Sequence, residues 1–174
     1  YGLSCTRNKG VSIAQGDYIL YLDGDDWLDN NALSILKKKC KTADLIVFPM
    51  IYYYNDRYAK LNSYELEERI YSSKEFLHNT IGKSKFNITP APCKCYKREI
   101  LINTQQEFIQ GILHEDGPYF IDTICNFNRI FYLDKGLYYY RQARQESITT
   151  SDRSIKNFNG IIAGQEHIIN KVGL

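Results

Sequence analysis

The five residues "YILYL", 18 to 22, are apolar at every position and run directly into "DGDDWLDN". A strand with alternating polarity can leave one face in water, but a run like this must be covered on both, as a central parallel strand is. The flanking segments supply the cover. Residues 4 to 15, "SCTRNKGVSIAQ", carry Val11, Ile13 and Ala14 as apolar positions of a helix that Ser4 or Thr6 can cap and that Gly16 and Asp17 stop. Beyond the acidic run, Asn30 or Asn31 can cap a second helix with Ala32, Leu33, Ile35 and Leu36 at helical spacing and a basic end, "KKKCK". "ADLIVFPMIYYY", 43 to 54, is rich in strand formers. The order helix, strand, helix, strand predicts an α/β sheet with crossover connections.

The remainder is punctuated as clearly in some places as it is mixed in others. Residues 55 to 71 read as a loop or an excursion of strands, and Ser73, Phe76, Leu77 and Ile81 suggest a short helix ended by Gly82. "NITPAPCKCYKREIL" leads into a helix near 97 to 103, and Pro118 marks another helix start, since proline is tolerated in the first turn. "RIFYLD", "KG" and "LYYYR" read as two strands joined by a tight turn. From Ser154 to Val172 the spacing of Ile155, Phe158, Ile161, Ile162, Ile168 and Ile169 predicts a final amphipathic helix.

With 174 residues, 44% of them hydrophobic, the chain has the size and balance of one globular domain. A formal charge of +2 gives no electrostatic case for a nucleic-acid partner or an anionic membrane surface. Five scattered cysteines argue for a reducing, cytoplasmic setting and against a disulfide framework. Cys93 and Cys95 lack a second pair at zinc-finger spacing and read as structural thiols. No run approaches the ~20 apolar residues of a membrane span. The chain opens on Tyr1 and its only methionine is Met50, so it reads as a processed or partial chain.

Carboxylates at the carboxyl end of a strand stand where open α/β sheets bind ligands. Oxygen ligands there suit Mg²⁺ or Mn²⁺, which take one or two carboxylates and complete their shell with substrate phosphates. The spacing of Asp23 and Asp25 lets both point the same way from an extended strand end. An EF-hand fails on inspection: counting from Asp23, the fifth, sixth and twelfth positions are Trp27, Leu28 and Ser34. Asp29 is better explained as a helix cap.

"GLSCTRNKGVSIAQGDYILYLDGDDWL", residues 2 to 28, closely resembles the central segment of the family 2 glycosyltransferases, with Gly2, Ser4, Arg7, Asn8, Gly10, Ala14, Gly16, Asp17, Asp23, Asp25 and Asp26 in the family's order. "LHEDGPYF", 113 to 120, is similar to the family's E-D motif, and "LYYYRQARQESIT", 137 to 149, to its aromatic, arginine and Ser-Ile segment. The resemblance implies the GT-A fold, a Rossmann-like, mixed and mostly parallel sheet flanked by helices. The family's opening P-x-Y-N strand and V-D-D-G-S segment have no counterpart here. The implied organisation is a partial catalytic domain over 1–150, without its N-terminal nucleotide-binding portion, and a C-terminal amphipathic helix over 151–174.

What the resemblance implies for chemistry is transfer of a sugar from a nucleotide-diphosphate donor to a saccharide or lipid-linked acceptor, with inversion, by a hexosyltransferase-type enzyme of cell-surface polysaccharide assembly. Asp25 would hold Mg²⁺ or Mn²⁺, with Asp23 at the ribose or in the metal shell. Asp116 would be the general base and Glu115 would orient it or meet the acceptor. Arg7 and Asn8 would lie near the donor, and Arg141 and Arg144 would close over the diphosphate as a lid. Each has a plainer rival: an N-cap for Asp116, a surface helix position for Arg7, and strand faces for the tyrosines of 52–54 and 138–140. The implied location is cytoplasmic, with peripheral attachment at the inner membrane face as an extension, and the last helix offers a face for a homo-oligomer. A non-catalytic sugar- or nucleotide-binding scaffold of the same fold is the alternative, and a metal-dependent phosphohydrolase a weaker third.

Overall fold

The computed structural model describes residues 2–54, 57–62, 65–80, 89–142 and 155–172. Helix α1 (Leu3–Ile13) leads to β1 (Tyr18–Leu20), and a turn leads to β2 (Trp27–Leu28). There follow α2 (Ala32–Lys39), β3 (Leu45–Val47), β4 (Met50–Tyr54), β5 (Arg57–Asn62), β6 (Ile70–Tyr71) and α3 (Ser73–Thr80). A 3₁₀ turn at Ala91–Cys93 enters β7 (Lys94–Lys97), which passes straight into α4 (Arg98–Asn103). The chain closes with α5 (Asp116–Ile124), β8 (Ile130–Tyr132), β9 (Tyr138–Arg141) and α6 (Ile155–Val172).

The strands form two sheets, of order β1-β7-β3-β8-β6 and β2-β9-β4-β5. In the larger, β3 and β8 are parallel and the other neighbours antiparallel, so β1, β3 and β8 run one way and β7 and β6 the other. The sheet is mixed, as expected, but its pairs are mostly antiparallel rather than mostly parallel, and "YILYL" is not its centre. β1 ends at Leu20, pairs antiparallel with β7 and stands at the end of the order.

Two further expectations change. "ADLIVFPMIYYY" is two strands in two sheets, because Pro49 has no N–H for a ladder and breaks the run between β3 and β4. "RIFYLD" and "LYYYR" do not form a hairpin. β8 lies beside β3 and β9 beside β4, each pair parallel, so two neighbouring chains cross together from one sheet to the other.

Alternation along the larger sheet divides the core. Leu45 and Val47 face one cluster with Val11, Tyr96 and Phe120, whereas Ile46 faces a second with Ala32, Leu36, Cys93 and Cys95. Each fully buried aliphatic side chain contributes about 1.5–3 kcal/mol relative to exposure. Both cysteines of the C-x-C pair are therefore packing groups, and burial pushes the Cys93 thiol up to about 12.

Of the expected caps, Ser4 is buried within α1, whose N-cap is Gly2, and Asn31 stands at the N-cap of α2 while the Asp29 carboxylate accepts its backbone N–H. Ile81 and Gly82 lie outside the described residues, and α3 is described to Thr80. In α6, Ile161 and Ile162, expected on the apolar side, are exposed, whereas Gly160 and Gly164 are buried. Among the described residues no helix is long and apolar enough to cross a membrane.

Candidate active site

Three segments far apart in sequence meet at the Arg7 side chain. Arg7 lies on α1 and is 7% exposed. One terminal nitrogen donates to Glu115 Oε1 at 3.0 Å and to Asp116 Oδ1 at 2.8 Å, and the other donates to Asp23 Oδ1 at 3.0 Å. One guanidinium thus ties the turn after β1 to the start of α5. Its planar fork of donors suits such a task, which a lysine could not reproduce. Burial works against the Arg7 charge, but Asp116, Asp23 and Glu115 outweigh it and raise the pKa further.

The cation rests on aromatic rings, with its carbon 5.0 Å from the Phe108 centroid and 5.8 Å from that of Tyr21. Phe108 stacks on Tyr119 at 3.6 Å, and the Tyr21 and Tyr119 hydroxyls are 3.0 Å apart. Asn8 builds this platform. Its side-chain amide donates to Phe108 O at 2.9 Å and its carbonyl accepts from Phe108 N at 2.8 Å. The two adjacent residues of the R-N pair therefore act together, Asn8 anchoring the backbone of the ring beneath Arg7.

The acidic run is a turn rather than the end of a strand, closed by Asp26 N–H donating to Asp23 O at 3.2 Å. Its carboxylates have separate partners. Asp26 accepts from the Tyr138 hydroxyl at 2.5 Å and from Arg141 N at 2.9 Å. Burial raises its pKa, with those two hydrogen bonds opposing. The Tyr138 hydroxyl also accepts from Asp23 N at 3.3 Å, which fixes both ends of the turn to β9. Asp25 is half-buried and lines a cavity of about 420 Å³ with Gly24, Asp26, Trp27 and Arg141. Arg141 Nε donates to Asp25 O at 3.1 Å, and its guanidinium carbon stands 5.1 Å from the Trp27 ring.

Among the described residues no group of three or more His, Cys, Asp and Glu side chains could hold a metal ion unaided. Asp25 at the cavity, with Asp23 two positions away, offers one or two carboxylates. That donor set fits Mg²⁺ or Mn²⁺ sharing its shell with substrate phosphates, and does not fit an all-protein calcium or zinc cage.

The residue before Glu115 and Asp116, His114, has φ +64° at the entry to α5, and its carbonyl accepts from Gly117 N at 3.3 Å. Burial raises the pKa of Asp116, opposed by Arg7 and by Lys94. Burial also raises that of Glu115, with Asp116 and Asp23 adding to the effect and Arg7 opposing it. The Asp116 side chain remains 27% exposed. The expected N-cap rival does not apply: the N-cap position is Glu115, and no side-chain capping bond is made there.

Lys94 was not expected here. It is 1% exposed on β7, donates to Pro90 O at 2.6 Å, lies 5.3 Å from the Phe120 centroid, and burial lowers its pKa to about 8. The signal was present in "APCKCY": a lysine on the same strand face as Tyr96, between buried cysteines, is rare without a buried partner. Tyr138 and Phe108 were also missed as site residues, since nothing in their spacing distinguishes them from core aromatics. Arg144 and the Ser-Ile-Thr segment of 147–149 lie outside the described residues.

The family model described as "Glycosyl transferase family 2" matches residues 1–104. Among curated proteins, the chain is 30% identical over 149 residues to "Glycosyltransferase GlyA" of Streptococcus pneumoniae, covering 80% of this chain and 21% of that protein. It is 25% identical over 166 residues to "Cholesterol galactosyltransferase" of Borreliella burgdorferi, covering 88% and 45%. The crystal structure of S. aureus TarS 1-349 in complex with UDP-GlcNAc aligns with a TM-score of 0.73 at 21% identity, over 97% of this chain and 47% of that one. The chain thus spans less than half the length of these proteins.

Proposed function

Because the chain belongs to glycosyl transferase family 2, we propose that it is the part of a metal-dependent, inverting glycosyltransferase that carries the catalytic carboxylates, within a catalytic region over 1–150 followed by a C-terminal helix. The donor is a nucleotide-diphosphate sugar and the acceptor a saccharide or lipid-linked hydroxyl, in cell-surface polysaccharide assembly. The observation that carries this reading is the junction at Arg7, which brings the Asp23–Asp26 turn and the Glu115–Asp116 pair into one site. Support for the donor class comes from the TarS neighbour, whose structure contains UDP-GlcNAc.

In this reading Asp116 accepts the proton of the acceptor hydroxyl as that oxygen bonds to the anomeric carbon. The bond from the same carbon to the diphosphate breaks on the opposite face, so one displacement inverts the centre. Asp25, with Asp23, would hold Mg²⁺ or Mn²⁺, which when bound neutralises charge on the leaving diphosphate. Arg141 at the cavity wall adds a cation for the same phosphates. Arg7 and Asn8 serve the donor indirectly, by fixing Asp23 and the ring platform.

The test is turnover of nucleotide sugars by the full-length protein with and without Mn²⁺. Dependence on metal, and loss of turnover in Asp25→Ala and Asp116→Asn, is expected. Undiminished turnover in either variant would overturn the role given to that residue.

A further inference from the structure

Helix α6 touches the loop that leads to the carboxylates. A methyl group on Gly160 would lie 2.7 Å from Leu113 N and 2.9 Å from Leu113 O, distances that side-chain carbons do not adopt. Gly160 is therefore in direct backbone contact with the residue before His114. Four residues on, the same position of Gly164 would meet Pro118 Cγ at 3.2 Å, within the first turn of α5. Three residues further, His167 Nε2 is 2.7 Å from Asp122 Oδ2. These positions, i, i+4 and i+7, lie on one face of a helix, so α6 seats along the loop and along α5.

His114 has φ +64°, a conformation that non-glycine residues hold only when their surroundings over-determine it. His114 directly precedes Glu115 and Asp116, the two carboxylates that Arg7 holds. We infer that α6 is the positioning element of the catalytic carboxylates, with Gly160 the residue that lets it bear on the Leu113–Asp116 loop. This rests on the reading of Asp116 as the base. It requires no metal ligand, and α6 lies outside the segment matched by the family model.

Gly160→Ala gives an opposite result under a merely helical role and under this one. In a helix without such a contact the change favours folding, because alanine is the better helix former. Against Leu113, whose contacting atoms are backbone, α6 must shift instead. Two measurements on the full-length protein follow this: hydrogen exchange of the Gly117 and Tyr119 amides, which donate to His114 O at 3.3 Å and Glu115 O at 3.2 Å, and steady-state kinetics.

Faster exchange at both amides is expected in Gly160→Ala, with kcat lowered about 100-fold by misplacement of the base and the donor KM unchanged. Gly164→Ala, whose neighbour is a ring edge that can give way, is expected to show the same pattern more weakly. It also carries the test should Gly160→Ala not fold. Glu166→Ala, at an exposed position of the same helix, should change neither. Unchanged exchange at Gly117 and Tyr119 in both glycine variants, or an equal effect in Glu166→Ala, would overturn the inference. Turnover that survives Asp116→Asn would overturn the base assignment and leave the exchange result standing.

Discussion

Arg7 and Asp116 are joined by a 2.8 Å hydrogen bond across 109 residues of chain. The same guanidinium holds Glu115 and Asp23, so its removal would leave three carboxylates grouped without their shared cation. Arg7→Met is expected to destabilise the fold by about 3–5 kcal/mol, as for other buried pairs broken on one side. The sign with pH follows. Burial already raises the Asp116 and Glu115 pKa values, Arg7 opposes this, and the variant raises them further. Groups with raised folded-state pKa values favour the fold in acid and disfavour it as pH rises through those values. Urea titrations should therefore show a deficit that is largest near neutral pH and shrinks toward pH 4.

If Asp116 is the base, the acid limb of the kcat profile reports its ionisation. That limb should lie above the ordinary aspartate range, because burial is the largest influence on the group. Asp116→Asn should lower kcat by about 10²–10⁴-fold while leaving the affinity for nucleoside diphosphate intact. A profile without an acid limb in the active protein would exclude the assignment.

The Tyr138 hydroxyl joins Asp26 to the backbone of Asp23. Tyr138→Phe keeps the ring in the core but removes the donor to a half-buried carboxylate, at a cost of about 1–3 kcal/mol. Looser closure of the turn should also weaken metal-dependent binding of nucleoside diphosphate, measured calorimetrically with Mn²⁺. Equal binding by the variant and the parent would show that the turn holds without this bond.

What was legible in the sequence was local or already encoded as a motif. Apolar runs, helix periods and Pro118 placed most elements, and the D-x-D-D and E-D segments marked carboxylates that the fold brings together. Pairing was less legible. Nothing in "YILYL" reveals that its neighbour is the antiparallel β7, and Pro49, a single residue, divides one apparent strand between two sheets. The centre of the site was the least accessible. Arg7 read as a donor-facing side chain, but its partners are carboxylates on other elements, and a through-space junction leaves no local pattern. The seat of α6 was hidden for a similar reason: isoleucine spacing suggested the apolar face, whereas Leu113 and Pro118 are met by Gly160 and Gly164, which carry no hydrophobic signal.

Lys94 provides a test that does not depend on turnover. Its amine is buried, and burial lowers its pKa from 10.5 to about 8, so folding is opposed whenever the group must remain charged. A depressed folded-state pKa contributes stability above the unfolded value and loses it as pH falls through the folded one. Between pH 8 and 10.5 the parent should therefore gain stability relative to Lys94→Met, which has no such titration. At neutral pH the variant can match or exceed the parent, because methionine fills the space without desolvating a charge. Activity should move the other way. Lys94 helps to hold the Asp116 pKa down, so its loss shifts the acid limb of the kcat profile to higher pH. Parallel thermal melts and pH profiles of the two proteins separate these effects, and a stability difference that stays flat from pH 8 to 10.5 would mean that the amine is not held as the structure describes.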